Sequence, residues 1–243
     1  MQKPTWMLLL SVTTSLSAAC ATPVADPEED HASTLAELCE LHQTDKCASH
    51  HNYVDLYDTF FAPLRSRAER VLEIGVLAGE SVRMWEAYFP RAAIFGIDID
   101  DASQYQTERI RTFMADQANR EQLTGFIDEH GSGFDIVIDD GGHSMEQQQV
   151  SFGFFFPHLR SRGIYIIEDI HTSFPSLYQG YGVEDGAGNS TYSMITNFVR
   201  DGSFASQYLT AAELGALNSQ ADHCLYSYRP NAHHSDFFLC VKK

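Results

Sequence analysis

The sequence is poor in basic residues and lacks several patterns that identify common kinds of site. It has 16 Lys and Arg against 33 Asp and Glu, which gives a formal net charge of −17 at pH 7. Such a surface repels nucleic-acid backbones and anionic lipid headgroups, so we expect no nucleic-acid partner and no polybasic docking to membranes. No Cys-x-x-Cys pair occurs. A cysteine zinc site and thioredoxin-like chemistry therefore have no support.

The apolar run near the N-terminus is short and follows a basic start. With the small residues before Cys20, it predicts an export signal over 1–20, too short for an ordinary membrane-spanning helix. The sequence at Cys20 is similar to a bacterial lipoprotein cleavage box, and ordinary cleavage near Ala19 or Ala21 is the alternative. We expect an acidic, proline-containing linker over 21–33. The expected location is periplasmic, lipid-anchored at the membrane through Cys20, or secreted.

Four cysteines remain after the signal, an even number that is compatible with two disulfides. Cys39 and Cys47 flank a short loop. Cys224 and Cys240 lie in two strand-like runs that would pair as a C-terminal hairpin. Of the possible connectivities, these two local pairs are our prediction. Four buried thiols in a cytosolic protein are the alternative, which the export signal makes the weaker one.

Strand-like apolar runs alternate with helical segments from residue 70 onward. We predict five strands, at 70–75, 93–98, 110–115, 134–139 and 163–168. Helices are expected between them, at 79–89, 119–129 and 144–159. This alternation is typical of an α/β fold with a mainly parallel sheet.

The C-terminal third departs from this alternation. A Gly/Ser/Tyr-rich loop at about 171–190 suggests a lid. Two further helical segments follow, at 192–200 and 210–218, and then the antiparallel hairpin. We expect an N-terminal cap segment over 34–65 and the main domain over 66–243.

The most informative segment is Val-Leu-Glu-Ile-Gly-Val at 71–76, which predicts a buried strand that enters a turn. A second glycine, Gly79, precedes the next helix. Such a strand–turn–helix unit lets the backbone approach a nucleotide-like ligand and offers free N–H groups. The spacing from Gly75 to Gly79 differs from the G-x-G-x-x-G fingerprint, so a pyrophosphate is not the expected ligand. Glu73, just ahead of the turn, suits a cationic amino-acid group.

The second strand ends in an acid, Asp98, about twenty residues after the turn, where a carboxylate can bond a ribose diol. Glu73 and the two glycines alone could belong to an ordinary surface loop. Together with Asp98 they resemble the first two motifs of class I S-adenosylmethionine (SAM) methyltransferases. In that fold, the residues after the third strand, here Asp116 and Gln117, meet the adenine amino group. Capping of the following helix is the alternative for this pair.

Two acidic clusters follow the fourth and fifth strands. Asp140 and His143 lie in Asp-Gly-Gly-His, and Glu168 is followed by Asp169. Because the carboxyl ends of neighbouring strands meet at one crevice, these carboxylates would repel one another unless a cation is bound. Hard oxygen ligands favour Mg²⁺, or Mn²⁺. Helix capping by strand-end acids is the alternative, but it explains one acid per turn and not a pair at each strand end.

These motifs also resemble a narrower family, the metal-dependent sugar O-methyltransferases that act on macrolide and tetracenomycin antibiotics. The resemblance extends over about residues 41–185. It is carried by four segments, namely 44–57, 79–85, 140–143 and 168–173.

The resemblance implies a Rossmann-like class I methyltransferase fold with SAM and Mg²⁺ as cofactors. It implies that Asp140, Glu168 and Asp169 hold Mg²⁺ and that His143 is the general base. The expected donor-binding residues are Glu73, Gly75, Gly79, Asp98, Asp116 and Gln117. The expected reaction is O-methylation of a hydroxyl on a sugar or another polyhydroxylated small molecule, such as a glycosylated metabolite.

Two other functions remain open at this point. SAM is made in the cytosol, so an exported chain could instead be a non-catalytic binding protein that retains the fold. A carboxylate–metal hydrolase is the third possibility. The set Glu73, Gly75, Gly79 and Asp98 argues against the hydrolase.

Overall fold

The computed structural model describes residues 33–183, 188–230 and 235–243. The predicted export signal over 1–20 and the predicted linker, apart from Ser33, lie outside these described residues. No helix in the described ranges has the length and apolar character that crossing a bilayer requires.

A sheet of seven strands forms the centre of the fold, in the order β3-β2-β1-β4-β5-β7-β6. The first five strands are parallel, and β7 lies antiparallel between β5 and β6. The bounds are Arg70–Ile74 (β1), Ala93–Asp98 (β2), Ile110–Met114 (β3), Phe134–Asp139 (β4), Leu159–Glu168 (β5), Ala221–Arg229 (β6) and Ser235–Lys242 (β7). The predicted α/β class and the C-terminal antiparallel hairpin are confirmed.

Seven α-helices pack on this sheet in the described ranges. They are Leu35–His42 (α1), Val54–Phe61 (α2), Glu80–Tyr88 (α3), Arg120–His130 (α4), Met145–Phe155 (α5), Thr191–Asp201 (α6) and Ala211–Gln220 (α7). Polar side chains cap the N-termini of several of these helices. The Ser144 hydroxyl accepts from the backbone of Gln147 at the start of α5, and the Asn119 side chain caps α4. The predicted helix over 144–159 is too long, because α5 ends at Phe155 and β5 already begins at Leu159.

The segment over 34–65 contains α1 and α2, two eight-residue helices that the sequence did not predict. Their apolar side chains enter the main core, where the rings of Tyr57 and Phe61 lie 6.1 and 5.8 Å from that of Trp85. The residues from Ser33 to Lys243 form one compact unit. The N-terminal segment therefore shares a hydrophobic core with the sheet.

Both disulfides have the predicted local pairing. Cys39, on α1, is bonded to Cys47 in the loop that follows. Cys224 of β6 is bonded to Cys240, its partner in the register of β7. The first bond closes the loop between α1 and α2, and the second ties the terminal hairpin together.

Candidate active site

A cavity of about 640 Å³ opens at the carboxyl ends of the parallel strands. This edge is where ligands of doubly wound sheets bind. The cavity wall contains many of the predicted site residues, from both the donor set and the metal set. They are Gly75, Asp98, Asp116, Gln117, Asp140, His143 and Asp169.

Glu73 lies behind the cavity wall, contrary to the direct ligand contact that we expected. Side chains alternate along a strand, so Glu73 points to the face of β1 opposite to that of its neighbours. Its side chain is fully buried and accepts a hydrogen bond from Ser81 Oγ at 2.7 Å. Burial raises the pKa of Glu73 to about 7, although Lys46 and Ser81 favour its charged form. Through its hydrogen bond with Ser81, Glu73 stabilises the start of α3.

The two motif glycines have different roles. Gly75 lines the cavity with φ +91°, and a Cβ there would lie 2.0 Å from the backbone oxygen of Asp140. The turn after β1 therefore touches the end of β4, and only glycine fits. We expected Gly79, at φ +75°, to line the cavity, and it does not. A Cβ there would lie 2.7 Å from the ring of Tyr105, so this glycine serves packing at the start of α3.

Asp98 lines the cavity and also holds the turn after β1. Its Oδ2 accepts hydrogen bonds from the backbone N–H groups of Val76, at 2.7 Å, and Leu77, at 2.9 Å. Leu77 has φ +47°. Its side chain is 87% exposed, so burial of that side chain does not explain this backbone conformation. The carboxylate of Asp98 stabilises the strained turn.

Asp116 and Gln117 both line the cavity after β3. The cap of α4 is Asn119, so the capping alternative for this pair is wrong. Gln117 is buried; its Nε2 donates to Asp139 at 2.9 Å and its Oε1 accepts from the backbone of Gly142 at 2.7 Å. This amide therefore joins the end of β3 to the loop after β4.

Three predicted residues form a group that could hold a divalent cation. Asp140, His143 and Asp169 each bring one ligand atom within 4.8 Å of the other two. His143 Nε2 lies 3.4 Å from Asp169 Oδ2 and 3.9 Å from Asp140 Oδ1. The carboxylates of Asp140 and Asp169 are hard oxygen ligands of the kind that suits Mg²⁺ or Mn²⁺, so these two residues fit the expected metal, with the imidazole of His143 beside them.

The same group shows backbone strain and mutual electrostatic stabilisation. His143 and Asp169 have φ values of +54° and +55°, which non-glycine residues rarely adopt. Burial opposes ionisation of Asp169. Nevertheless, His143, His51 and a hydrogen bond from Tyr53 hold the pKa of Asp169 below the usual aspartate range. The chain therefore keeps this carboxylate charged in a strained position.

Glu168 does not join this group, although we expected it to be a metal ligand. It is 1% exposed and does not line the cavity. Its Oε1 accepts from Tyr57 Oη at 2.5 Å and its Oε2 from Lys46 Nζ at 3.1 Å. Burial and the nearby Asp140 raise its pKa well above the usual range. Asp140 and Asp169, in contrast, both belong to the group that includes His143.

Residues from α2 and the loop before it complete the site, and the sequence patterns did not identify them. The Tyr53 hydroxyl donates to Asp169 Oδ1 at 2.7 Å, and Lys46 donates to both Asp140 and Glu168. Lys46 and Tyr53 belong to a segment that carried the family resemblance. That resemblance was the only signal for them, because these partners lie 94 to 122 residues away along the chain.

The last strand also reaches the site, through Asp236. Its backbone oxygen accepts from Tyr53 Oη at 3.2 Å and from the backbone N–H of Asp169 at 3.0 Å. Its carboxylate lies 2.9 Å from His171 Nδ1. Asp236 therefore connects the N-terminal segment to the residues that follow β5.

The predicted lid over 171–190 begins with a short 3-10 turn, Ile170–Ser173. Residues 184–187 lie outside the described ranges. The Tyr178 ring packs on that of His171, with centroids 4.7 Å apart, and the backbone oxygen of Tyr181 accepts from Met145 N at 2.9 Å. The described part of this segment thus borders the acidic end of the site with aromatic side chains.

Comparisons with known proteins agree with this site. No protein-family model matches the chain. The chain is 40% identical, over 153 residues, to 8-demethyl-8-alpha-L-rhamnosyl tetracenomycin-C 2'-O-methyltransferase of Streptomyces olivaceus, a match that covers 60% of this chain and 40% of that protein. It is 33% identical, over 196 residues, to L-olivosyl-oleandolide 3-O-methyltransferase of Streptomyces antibioticus, which covers 76% and 50% respectively.

Solved structures give the same result. The fold matches that of MycE methyltransferase in complex with Mg, SAH and mycinamycin VI, with a TM-score of 0.71 and 30% identity, over 87% of this chain and 55% of that one. The chain spans 38 to 50% of the length of the curated relatives it matches. The resemblance that we recognised in the sequence is therefore confirmed: over this region, the chain is a homologue of sugar O-methyltransferases.

Proposed function

We propose that this homologue of sugar O-methyltransferases is itself a SAM-dependent, metal-dependent O-methyltransferase. Its acceptor would be a hydroxyl of a sugar or of another polyhydroxylated small molecule. One observation carries the proposal. The glycine turn with Asp98 and the group formed by Asp140, His143 and Asp169 line the same cavity. A methyl donor and a hydroxyl acceptor could therefore bind next to each other in this one cavity.

The donor half of the cavity suits SAM. Asp98 is the acceptor for the ribose diol, since it already stands at the end of β2 and lines the wall. Asp116 and Gln117 border the region of the adenine. The carboxylates at the opposite end give the wall a negative charge, which suits a sulfonium and an ammonium group.

In the acceptor half, Asp140 and Asp169 would hold Mg²⁺ or Mn²⁺. A bound divalent ion orients the acceptor hydroxyl and lowers its pKa. His143 Nε2 then accepts the hydroxyl proton while the oxygen attacks the methyl carbon. The carbon–sulfur bond breaks, and the donor leaves as a neutral thioether. Asp169, 3.4 Å from Nε2, stabilises the imidazolium that forms.

Titration calorimetry with S-adenosylhomocysteine (SAH), with and without Mg²⁺, tests the donor site directly. Methyl transfer to glycosylated acceptors is then measured with and without excess chelator. We expect SAH binding to survive chelation and transfer to be lost. Equal transfer in chelator would contradict the metal assignment. SAH binding without turnover on any polyhydroxylated acceptor would favour the exported, non-catalytic binding protein.

Replacement of Asp98 by alanine should weaken SAH binding by about 1.5–3 kcal/mol, because a charged hydrogen-bond acceptor is lost. The loss also frees the backbone N–H groups of Val76 and Leu77. Calorimetry on the purified variant measures the effect. Asp128→Ala, which removes an exposed acid from α4, is the matched control. Unchanged affinity in Asp98→Ala would remove the donor assignment.

We also propose that the chain is exported, with or without a lipid on Cys20. This proposal depends on the sequence of the first 20 residues and on cysteine usage. Mass spectrometry of protein from its native host should show a shortened N-terminus and two disulfides. An intact Met1 together with four free thiols would contradict it and would give the enzyme direct access to cytosolic SAM.

A further inference from the structure

The loop between α1 and α2 forms one wall of the cavity. Gln43, Thr44 and Asp45 are among the residues that line it. At the far end of the same loop, the Tyr53 hydroxyl donates to Asp169 at 2.7 Å. This segment, which we call the 43–53 loop, thus provides part of the wall and supports the acidic end of the site.

Few side chains anchor the 43–53 loop to the core. Between Leu38 on α1 and Tyr53, the buried apolar residues are Cys39 and Cys47, and these two are bonded to each other. Leu41, in the same stretch, is largely exposed. Loops are normally fixed by apolar side chains that enter the core, and here the disulfide provides that anchor.

The other side chain that ties the loop to the core is Lys46, whose ammonium donates to Asp140 and Glu168. These carboxylates belong to the end of the site that the loop itself supports. The disulfide, in contrast, fixes the loop to α1, which packs on α3. It is therefore the anchor that holds the loop from outside the site.

Cys47 is also the centre of the hydrogen bonds within the loop. Its carbonyl accepts from His50 N at 3.0 Å and from Asn52 N at 2.8 Å, and its own N–H donates to the backbone oxygen of Thr44 at 3.3 Å. A displacement of Cys47 would move the residues on both sides of it. Loss of the bond to Cys39 would therefore affect the cavity wall and not only the cysteines.

We infer that the Cys39–Cys47 disulfide is a positioning element of the candidate active site, which binds its donor tightly only while this bond is formed. The inference rests on the proposed function, in which the cavity binds SAM. Without the bond, the loop occupies its position for only part of the time. The apparent affinity for a ligand then falls in proportion to the fraction of molecules that can bind it.

The site is thereby linked to the redox state of its surroundings. Bond formation removes two electrons and two protons from the two thiols, and an oxidant that carries a disulfide takes them up and becomes a dithiol. A dithiol reductant reverses this exchange. Because disulfides persist mainly in oxidising compartments, a chain kept in a reducing compartment would have the weaker site.

Titration calorimetry with SAH on two double variants of the full chain tests the inference. Cys39→Ala/Cys47→Ala should bind SAH about tenfold more weakly than the parent protein, the result for a loop that keeps its position for a tenth of the time. Cys224→Ala/Cys240→Ala removes the hairpin bond, and neither of these cysteines lines the cavity. Its affinity should stay within about twofold, since the fraction of binding-competent molecules is unchanged.

The free energy of unfolding separates positioning from general stabilisation. The hairpin bond joins residues 16 positions apart, and the bond between Cys39 and Cys47 spans 8 positions. Closure of the longer loop restricts the unfolded chain more, so the hairpin variant should lose at least as much stability in chemical denaturation. If the bond between Cys39 and Cys47 were merely structural, its loss would lower stability and leave the SAH affinity of the folded protein unchanged.

Hydrogen exchange of the loop amides gives a readout that needs no ligand. The N–H groups of His51, Asn52 and Tyr53 donate to backbone oxygens within the loop at 2.8 to 3.0 Å. They should exchange faster in Cys39→Ala/Cys47→Ala, while the amides of β1 and β4 exchange as in the parent protein. Unchanged exchange in the loop would contradict the inference.

The possible outcomes separate the inference from the proposed function. If the parent protein binds SAH and Cys39→Ala/Cys47→Ala binds it equally well, the inference alone is wrong. If the parent protein does not bind SAH, the donor assignment is wrong, and hydrogen exchange decides whether the disulfide positions the cavity wall.

If Cys39→Ala/Cys47→Ala does not fold, the hairpin variant Cys224→Ala/Cys240→Ala is treated with a dithiol instead. Treatment continues until alkylation of an aliquot shows Cys39 and Cys47 as thiols. The SAH affinity of the reduced protein should be about tenfold weaker and should recover on reoxidation. Equal affinity of the reduced and the oxidised protein would overturn the inference.

Discussion

The alanine variant of His143 should lose about 10²- to 10⁴-fold in turnover, the usual contribution of a general base. Its affinity for SAH should remain that of the parent protein, because the donor half of the cavity is formed by other residues. Single-turnover methyl transfer at saturating metal measures the effect. His223→Ala is the control, since His223 is an exposed histidine on β6.

The same variant separates two roles that the geometry allows for His143. A base that is not a metal ligand leaves Mn²⁺ affinity unchanged when it is removed. A metal ligand, in contrast, raises the metal concentration that the enzyme needs. Turnover within about threefold of the parent protein at saturating metal would contradict the role as base.

Gly75→Ala should cause the largest loss of stability among single substitutions at the site, about 3 kcal/mol or more in the free energy of unfolding. The new Cβ would lie 2.0 Å from the backbone oxygen of Asp140 at φ +91°. Backbone atoms cannot yield as a flexible side chain does, so the turn after β1 must separate from the end of β4. SAH binding should be lost as well.

Gly133→Ala is the matched control for this variant. Gly133 has a similar φ, +86°, but a Cβ there would meet nothing within 4 Å. Gly133→Ala should lower the free energy of unfolding only by the strain of an alanine at positive φ, about 1–2 kcal/mol. Chemical denaturation of both variants measures the difference. Equal losses would show that the contact between Gly75 and Asp140 does not matter.

The sequence predicts strand bounds well where a local run of apolar residues with a clear end determines them. β2 and β4 have the predicted bounds, because each is a short apolar run that ends in an acid. β5 begins four residues earlier than the expected start at 163, since Arg160 and Arg162 interrupt the apolar pattern. The α1 and α2 helices were not predicted because eight residues give too few turns for a clear helical period.

Within the site, strand-end reasoning identified Asp140, His143 and Asp169. It could not separate Glu168 from Asp169, since neighbouring residues at the end of a strand point in opposite directions. The same alternation explains why Glu73 lies behind the cavity wall. The lysine that engages both glutamates comes from a loop far away along the chain, and no local period encodes such a contact.

The hydrogen bonds of Asp236 have a consequence for the order of assembly. Tyr53 and Asp236 are 183 positions apart, and the Tyr53 hydroxyl also holds Asp169. Contacts between such distant positions form late, because a long stretch of chain must be ordered before they can close. Synthesis proceeds from the N-terminus, so Tyr53 is made 183 residues before Asp236, and the contact cannot form until the intervening chain exists. Nascent chains and C-terminally truncated fragments should therefore lack a finished site, even where the parallel strands have already formed.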